Sequence, residues 1–308
     1  MNSAPIVVIG SSNTDMVIKA SHLPQPGETI LGGTFFMNAG GKGANQAVAA
    51  ARLGGSVLFI AKTGNDIFGK QAIELFEKEG IDVSHIIRDK HQPSGVALIT
   101  VDDNGENCIV VAPGANATLT PGDLNRVKEK IENASLILMQ LETPVETVEY
   151  VAGIALSKGV KFILNPAPAT KLNDELLKKI SIITPNQKEA EMLTGIKVSD
   201  ESSAKQAAIF LNKTGIETII ITMGASGAFV LQENRHCMIH GYQVKVADTT
   251  AAGDVFNGAL VVALSEGQKI RDAVTFACKA AAISVTRLGA QASAPHRKEV
   301  ESFNLTNA

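Results

Sequence analysis

Asp248-Thr249-Thr250-Ala251-Ala252-Gly253-Asp254 is the stretch of this chain best equipped for chemistry. Small and short polar residues run straight into an apolar stretch, 255–264, that predicts a helix. A helix beginning there leaves its first backbone N–H groups unpaired beside the positive end of its dipole, with no large side chain in the way. Such a place binds phosphate oxygens. Asp254 stands at the helix start, where a carboxylate is favourable in any protein. It is either an N-terminal cap or a base that removes a proton beside a bound phosphate. These residues alone leave both readings open.

A second small-residue turn is Asn38-Ala39-Gly40-Gly41-Lys42-Gly43-Ala44-Asn45-Gln46-Ala47. It lacks the upstream glycine of a Walker A loop, Gly43 rather than Ser or Thr follows Lys42, and the dinucleotide fingerprint is missing too. It is either a close-packed turn or a ligand loop. Lys42 and Asn45 would suit a polyol, because both donate hydrogen bonds and Asn also accepts them. Asn13-Thr14-Asp15 follows the first strand and reads as a polar turn. Glu142 closes Met139-Gln140-Leu141-Glu142, either solvated ahead of Pro144 or turned to the ligand edge of a sheet. Asn186 and Glu189 share one face of a helix's first turn and read as a capping box. Thr222-Met223-Gly224-Ala225-Ser226-Gly227 reads as a tight turn after a β-branched strand.

The elements that must position these residues follow from hydrophobic period and turn chemistry. Strands are predicted at 6–10, 57–62, 136–139, 161–164, 181–183, 218–222, 228–231 and 242–246. Helices are predicted at 45–53, 68–79, 121–132, 144–158, 174–179, 188–194, 203–214, 254–266 and 270–287. This alternation implies an α/β fold, a three-layer α/β/α arrangement around a mostly parallel sheet. In such sheets ligands sit outside the carboxyl ends of the strands. Strands at 16–19, 29–37, 96–102 and 107–111 fall outside the alternation and predict a small separate β-sheet. With no repeat, low-complexity run or linker composition, residues 1–308 read as one continuous domain. Its lid strands come from about 14–38 and 95–112.

Asp-Thr-x-Ala-Ala-Gly-Asp-x-Phe-Asn-Gly, from Asp248 onward, resembles the C-terminal signature of the ribokinase-like carbohydrate kinases. The 38–47 segment is similar to that family's N-terminal signature, and Leu164-Asn165-Pro166-Ala167-Pro168-Ala169 to one of its strand-end loops. The resemblance runs in order from Val7 to about Pro295. It implies transfer of the γ-phosphoryl group of ATP to the O5 hydroxyl of D-ribose, giving D-ribose 5-phosphate and ADP. By resemblance, Ala251, Ala252 and Gly253 form the anion hole with Asp254, and Asp254 is the general base. Asn13, Thr14, Asp15, Gly41, Lys42, Gly43, Asn45 and Glu142 would hold the sugar. Asn186 and Glu189 would order Mg²⁺ and phosphates, while Thr222, Gly224, Ala225, Ser226 and Gly227 would line the nucleotide site. Cys278 stands near the expected adenine site, where relatives often carry His or Asn. A monovalent cation, K⁺, would be held at Asp248, Thr250, Ser284, Arg287, Gly289 and Ser293. Lids in this family commonly pair across a dimer, so a homodimer is expected.

Composition narrows the alternatives. A net charge of −3, no Trp and two Tyr give neither the basic footprint nor the stacking platforms of a nucleic-acid binder. Three widely spaced cysteines without a CxxC pair fit free thiols in a reducing cytoplasm. The chain enters its first strand without a signal-like segment, and charges or turn residues interrupt every apolar stretch before membrane-spanning length. A soluble cytoplasmic protein without membrane contact is expected. Rival readings are a kinase of deoxyribose, another small sugar or a nucleoside, and a sugar-binding regulator that lost its chemistry. A regulator should have lost Asp254 or Gly253, and both are present. A dehydrogenase would need a GxGxxG after the first strand, where Gly10-Ser11-Ser12-Asn13 stands.

Overall fold

The computed structural model describes residues 4–303. The chain opens with β1 (Ile6–Ile9), β2 (Asn13–Lys19), β3 (Thr34–Gly40), α1 (Lys42–Arg52), β4 (Val57–Ile60) and β5 (Lys62–Gly64). It continues through α2 (Ile67–Lys78), β6 (Ile87–Asp89), β7 (Gly95–Val101), β8 (Asn107–Ala112), α3 (Pro121–Leu124) and α4 (Lys128–Glu132). Next come β9 (Leu136–Met139), α5 (Val145–Lys158), β10 (Lys161–Leu164), α6 (Asp174–Leu177), β11 (Ile182–Ile183), α7 (Gln187–Thr194) and α8 (Glu201–Asn212). The last part holds β12 (Thr218–Thr222), β13 (Gly227–Gln232), β14 (Arg235–His240), α9 (Ala252–Ser265), α10 (Ile270–Ser284) and α11 (Arg297–Glu301).

Eight strands form the main sheet in the order β14-β13-β12-β11-β10-β9-β1-β4. Pairings from β4 across to β12 are parallel, and β12–β13–β14 is an antiparallel meander. Because successive strand side chains point to opposite faces, each strand feeds two cores. Ile6, Val8, Leu138 and Ile163 pack under α1, α9 and α10, whereas Val7, Ile9, Ile137 and Phe162 pack under α5 and α8. Two layers of helices therefore cover a sheet whose strands are apolar on both faces, as the α/β/α expectation requires. Among the described residues no helix is long and apolar enough to cross a membrane.

A second sheet of four strands, ordered β3-β2-β7-β8, stands apart from the first, as the out-of-pattern strands predict. Its register places Asp15, Asn38, Ala97 and Val111 side by side on one face. The opposite face carries Met16, Met37, Leu98 and Val110.

Some elements differ from expectation for local reasons. The strand expected at 242–246 is absent; β14 is the edge strand instead. Glu233 and Asn234, with φ of 51° and 60°, make a two-residue turn that pairs 235–240 with β13. The chain leaves the edge at Gly241, whose backbone lies so close to Ala225 that a Cβ there would come within 2.3 Å of the Ala225 carbonyl oxygen. The helix expected over 121–132 is broken by a tighter turn at Asn125–Val127. Leu124 and Val127, three apart and both buried, reach the core together, while Asn125 Oδ1 accepts the Tyr150 hydroxyl at 2.5 Å. The last long helix ends at Ser284 rather than 287, and the strand expected from 29 begins at Thr34. α1 begins at Lys42, earlier than expected, so Lys42 belongs to its first turn.

Candidate active site

Glycines determine how the first half of the site is built. Gly41 has φ +88°, and a Cβ on Gly43 would lie 2.6 Å from the carbonyl carbon of Gly10. The start of α1 thus abuts the backbone that leaves β1, and no larger residue fits. At the root of the small sheet, a Cβ on Gly41 would lie 2.7 Å from the Asn13 nitrogen and one on Gly40 2.3 Å from Asp15 Oδ2. The close-packed-turn reading of 38–47 is met by this backbone contact.

Glu142 is not simply solvated. Its Oε2 accepts the Ser11 hydroxyl at 2.5 Å and the Lys42 backbone N–H at 2.9 Å, so this carboxylate serves the N-terminus of α1. Asn13 is buried, and its Oδ1 accepts from Asn116 Nδ2 at 2.8 Å. Burial, with the like charges of Glu142 and Asp254, raises the Asp15 carboxyl to about 6. Burial favours a neutral Lys42 amine, but the charges of Asp254, Glu142 and Glu189 prevail and hold its pKa above the usual lysine value.

The second half of the site lies at the start of α9. Ala251 occupies the cap position in the left-handed region, φ +59°, with no side-chain cap bond. A non-glycine residue held there marks strain of the kind concentrated at functional sites. The backbone N–H groups of Gly253 and Asp254 have no acceptor among the described residues. A Cβ on Gly253 would meet nothing within 4 Å. These groups border a cleft of about 170 Å³ lined also by Lys42, Asn186, Glu189 and Thr222.

Asp254 does not cap α9. Its carboxylate turns toward α1, where Oδ2 accepts from Asn45 Nδ2 and Oδ1 from Gln46 Nε2, both at 2.9 Å. The residue is 5% exposed. Burial pushes its pKa above the ordinary aspartate value, and the Lys42 charge and the two amide donors offset part of that push. A buried, oriented carboxylate beside unpaired helix N–H groups can take a proton from a hydroxyl while those groups hold a phosphate.

Asn186 and Glu189 make the capping box foreseen for them, with Asn186 N–H to Glu189 Oε2 at 2.8 Å and Glu189 N–H to Asn186 Oδ1 at 2.9 Å. Glu189 also lines the cleft, and burial raises its pKa. Among the described residues no three acidic, His or Cys side chains converge to cage a metal. A Mg²⁺ held by one carboxylate, water and substrate phosphates fits such a donor set.

Of the turn after β12, Thr222 borders the cleft, while Gly224, Ala225 and Ser226 are exposed. Gly227, at φ +102°, has a packing role, since a Cβ would fall 2.0 Å from the Ile239 carbonyl oxygen. Cys278, on the core-facing side of α10, is 7% exposed and does not line the cleft, and burial lifts its thiol pKa to about 12. Asp248 joins two loops: Oδ1 accepts from Thr250 N–H at 2.8 Å and Oδ2 from Gly289 N–H at 2.9 Å. Arg287 N–H reaches the Ser284 carbonyl at 3.0 Å, its guanidinium pairs with Glu299, and Ser293 lies buried in the second loop. Asp248 thus ties Thr250 to Gly289, while Ser284 ends α10. Roles for Ser11, Gln46, Asn116, Thr184 and Asn257 were not foreseen. For Gln46 and Asn257 the usable signal is a polar residue inside an alanine-rich or apolar helix; Ser11, Asn116 and Thr184 lie in turns or strand ends and carry no such signal.

Fold and site together define a carbohydrate kinase. The chain belongs to the pfkB family carbohydrate kinases, whose profile matches residues 3–297. It is similar to the ribokinase of Haemophilus influenzae, 49% identical over 298 residues that cover 97% of each chain. It is also similar to the deoxyribokinase of Salmonella typhi, 37% identical over 97% of each chain. Among solved structures, Arabidopsis thaliana ribokinase complexed with ribose and ATP superposes with a TM-score of 0.93 at 32% identity, covering 98% of this chain and 100% of that one.

Proposed function

We propose that this protein transfers the γ-phosphoryl group of ATP to the O5 hydroxyl of D-ribose, giving D-ribose 5-phosphate and ADP. The observation that carries the reading is the buried Asp254 carboxylate, aimed by Asn45 and Gln46 and adjoining the open N–H groups that begin α9. Asn13, Thr14, Asp15, Gly41, Lys42, Gly43, Asn45 and Glu142 hold the sugar. Asp254 removes the hydroxyl proton, the sugar oxygen bonds to the γ-phosphorus, and the bond to the ADP oxygen breaks. The N–H groups around residues 251–254 and the Lys42 ammonium stabilise the charge on the migrating group. Thr222 and the 224–227 turn receive the nucleotide, and Cys278, buried in the core, offers the base no polar contact.

Glu189, supported by Asn186, would hold Mg²⁺ through water, and the ion supplies neutralisation of phosphate charge when bound. The loops carrying Asp248, Thr250, Ser284, Arg287, Gly289 and Ser293 would hold K⁺ through hard oxygens beside the anion hole. The small sheet acts as a lid on one continuous α/β domain. Ala97, Ile99 and Val111 cover the carbon face of the sugar and keep water from accepting the phosphoryl group. Its outer face, with Ile18 at 45%, Phe35 at 57% and Leu98 at 56% exposure, suits a homodimer formed lid to lid. Three free thiols support a cytoplasmic location.

A coupled ADP-release assay of purified protein with ribose, 2-deoxyribose, fructose and adenosine tests this reading. Ribose should give the highest kcat/KM. The Salmonella relative makes deoxyribose the second reading, and a preference for that sugar would replace the first.

A further inference from the structure

Behind Asp254 the hydrogen bonds close into a ring. Gln46 Nε2 donates to Asp254 Oδ1 at 2.9 Å and also to Asn165 Oδ1 at 3.0 Å. Asn165 Nδ2 donates to the Thr184 carbonyl at 3.1 Å, and Thr184 Oγ1 donates to Asn257 Oδ1 at 2.7 Å. Asn257 Nδ2 donates to the Gly253 carbonyl at 2.8 Å, and the Gly253–Asp254 peptide completes the circuit. Gln140 Nε2 anchors it from outside by donating to Gln46 Oε1 at 2.6 Å.

The ring links α1, the ends of β10 and β11, and α9. Gln46, Thr184 and Asn257 are each no more than 1% exposed. Packing alone would be served by apolar residues, which fill the rest of α9 from Val255 to Ala263. Polar groups buried this deeply are costly unless satisfied, and here each bond fixes the next one's orientation. One end of the ring grips the carboxylate of the base; the other grips the peptide whose N–H opens on the phosphate cleft. Phosphoryl transfer depends on these two groups holding their spacing to a fraction of an ångström.

We propose that Gln46, Thr184 and Asn257 are positioning residues that lock the Asp254 carboxylate and the Gly253–Asp254 anion hole into one unit through this ring. The proposal rests on the kinase reading above. It assigns turnover, not sugar affinity, to residues without a sugar-binding role.

The test compares Thr184→Val, which deletes the hydroxyl without changing shape, with Thr184→Ser, which keeps it. Gln46→Met, Asn257→Leu and their double variant are measured alongside, with folding checked by circular dichroism and thermal melting. Thr184→Val, Gln46→Met and Asn257→Leu should each lower kcat by roughly 10–100-fold while KM for ribose stays within about threefold. Thr184→Ser should restore most of what Thr184→Val loses. The double variant should fall no more than about threefold below its poorer parent, because one ring breaks only once. Unchanged kcat in folded Thr184→Val, or losses that multiply in the double variant, would overturn the ring. Should Gln46→Met or Asn257→Leu fail to fold, the two Thr184 variants decide alone. Wild-type protein inactive on every sugar would bring down the kinase reading and the ring with it; active wild type with indifferent variants brings down the ring only.

Discussion

Two helices begin in small-residue turns at the same end of the sheet, and the turns are small for opposite reasons. At α1, Gly43 lies against the Gly10–Ser11 backbone, where an added Cβ would meet three main-chain atoms within 2.7 Å. At α9, a Cβ on Gly253 would enter open space, and the left-handed position is taken by Ala251. The first turn is small so that protein can approach protein. At the second, the open space lies over the unpaired N–H groups that begin α9. A glycine in a sequence motif therefore does not announce which of the two it serves.

Substitutions separate these cases. Gly43→Ala should have the largest effect on folding, because backbone on every side has to move. Overpacking typically costs about 1–3 kcal/mol, and more where main chain must shift, so soluble yield and melting temperature should both drop. Gly253→Ala should melt close to wild type yet lose roughly 10-fold or more in kcat, since its methyl group occupies phosphate space and not core. A Gly253→Ala protein with a greatly lowered melting temperature and normal turnover would erase the distinction.

Asp15 sharpens it further, because it lies beside the α1 turn and its burial among like charges costs stability. Its carboxyl titrates near 6 in the folded protein against an ordinary value of 3.8. A raised carboxyl pKa means the folded state binds the proton more tightly than the unfolded state. Below 3.8 the group costs nothing; between 3.8 and about 6 stability declines as pH rises, and above that the whole penalty remains. Asp15→Asn should therefore melt higher than wild type at pH 7, with the advantage gone by about pH 4. The same variant should raise KM for ribose by about 10-fold or more through loss of a charged acceptor. Wild-type kcat/KM should decline as pH falls through about 6, as Asp15 takes up its proton.

The parallel strands were legible because each is a short, largely apolar run bounded by turn residues or helices. The predicted bounds of β9, β10 and β12 coincide with those observed. The edge strand was misplaced because 235–240, Arg-His-Cys-Met-Ile-His, has no clean alternation, and the Glu233–Asn234 turn lacks the usual glycine. Asp254 could be found by its place at a helix start, but its direction could not. A cap and a base share that position, and the left-handed Ala251 that excludes the cap is a backbone fact. The ring through Gln46, Thr184 and Asn257 was hidden for a similar reason. A buried polar residue shows in sequence only as an exception to an apolar pattern, while its partners, up to 208 positions away as with Gln46 and Asp254, come together only in the fold.

Kinetics and ribose titration of Asp254→Asn test the central claim most directly. The variant keeps shape and volume, so ribose should bind with an affinity close to wild type while kcat falls by ~10²–10⁴-fold. Turnover near that of the wild type would remove Asp254 from the base role and leave the reading of the cleft without its chemistry.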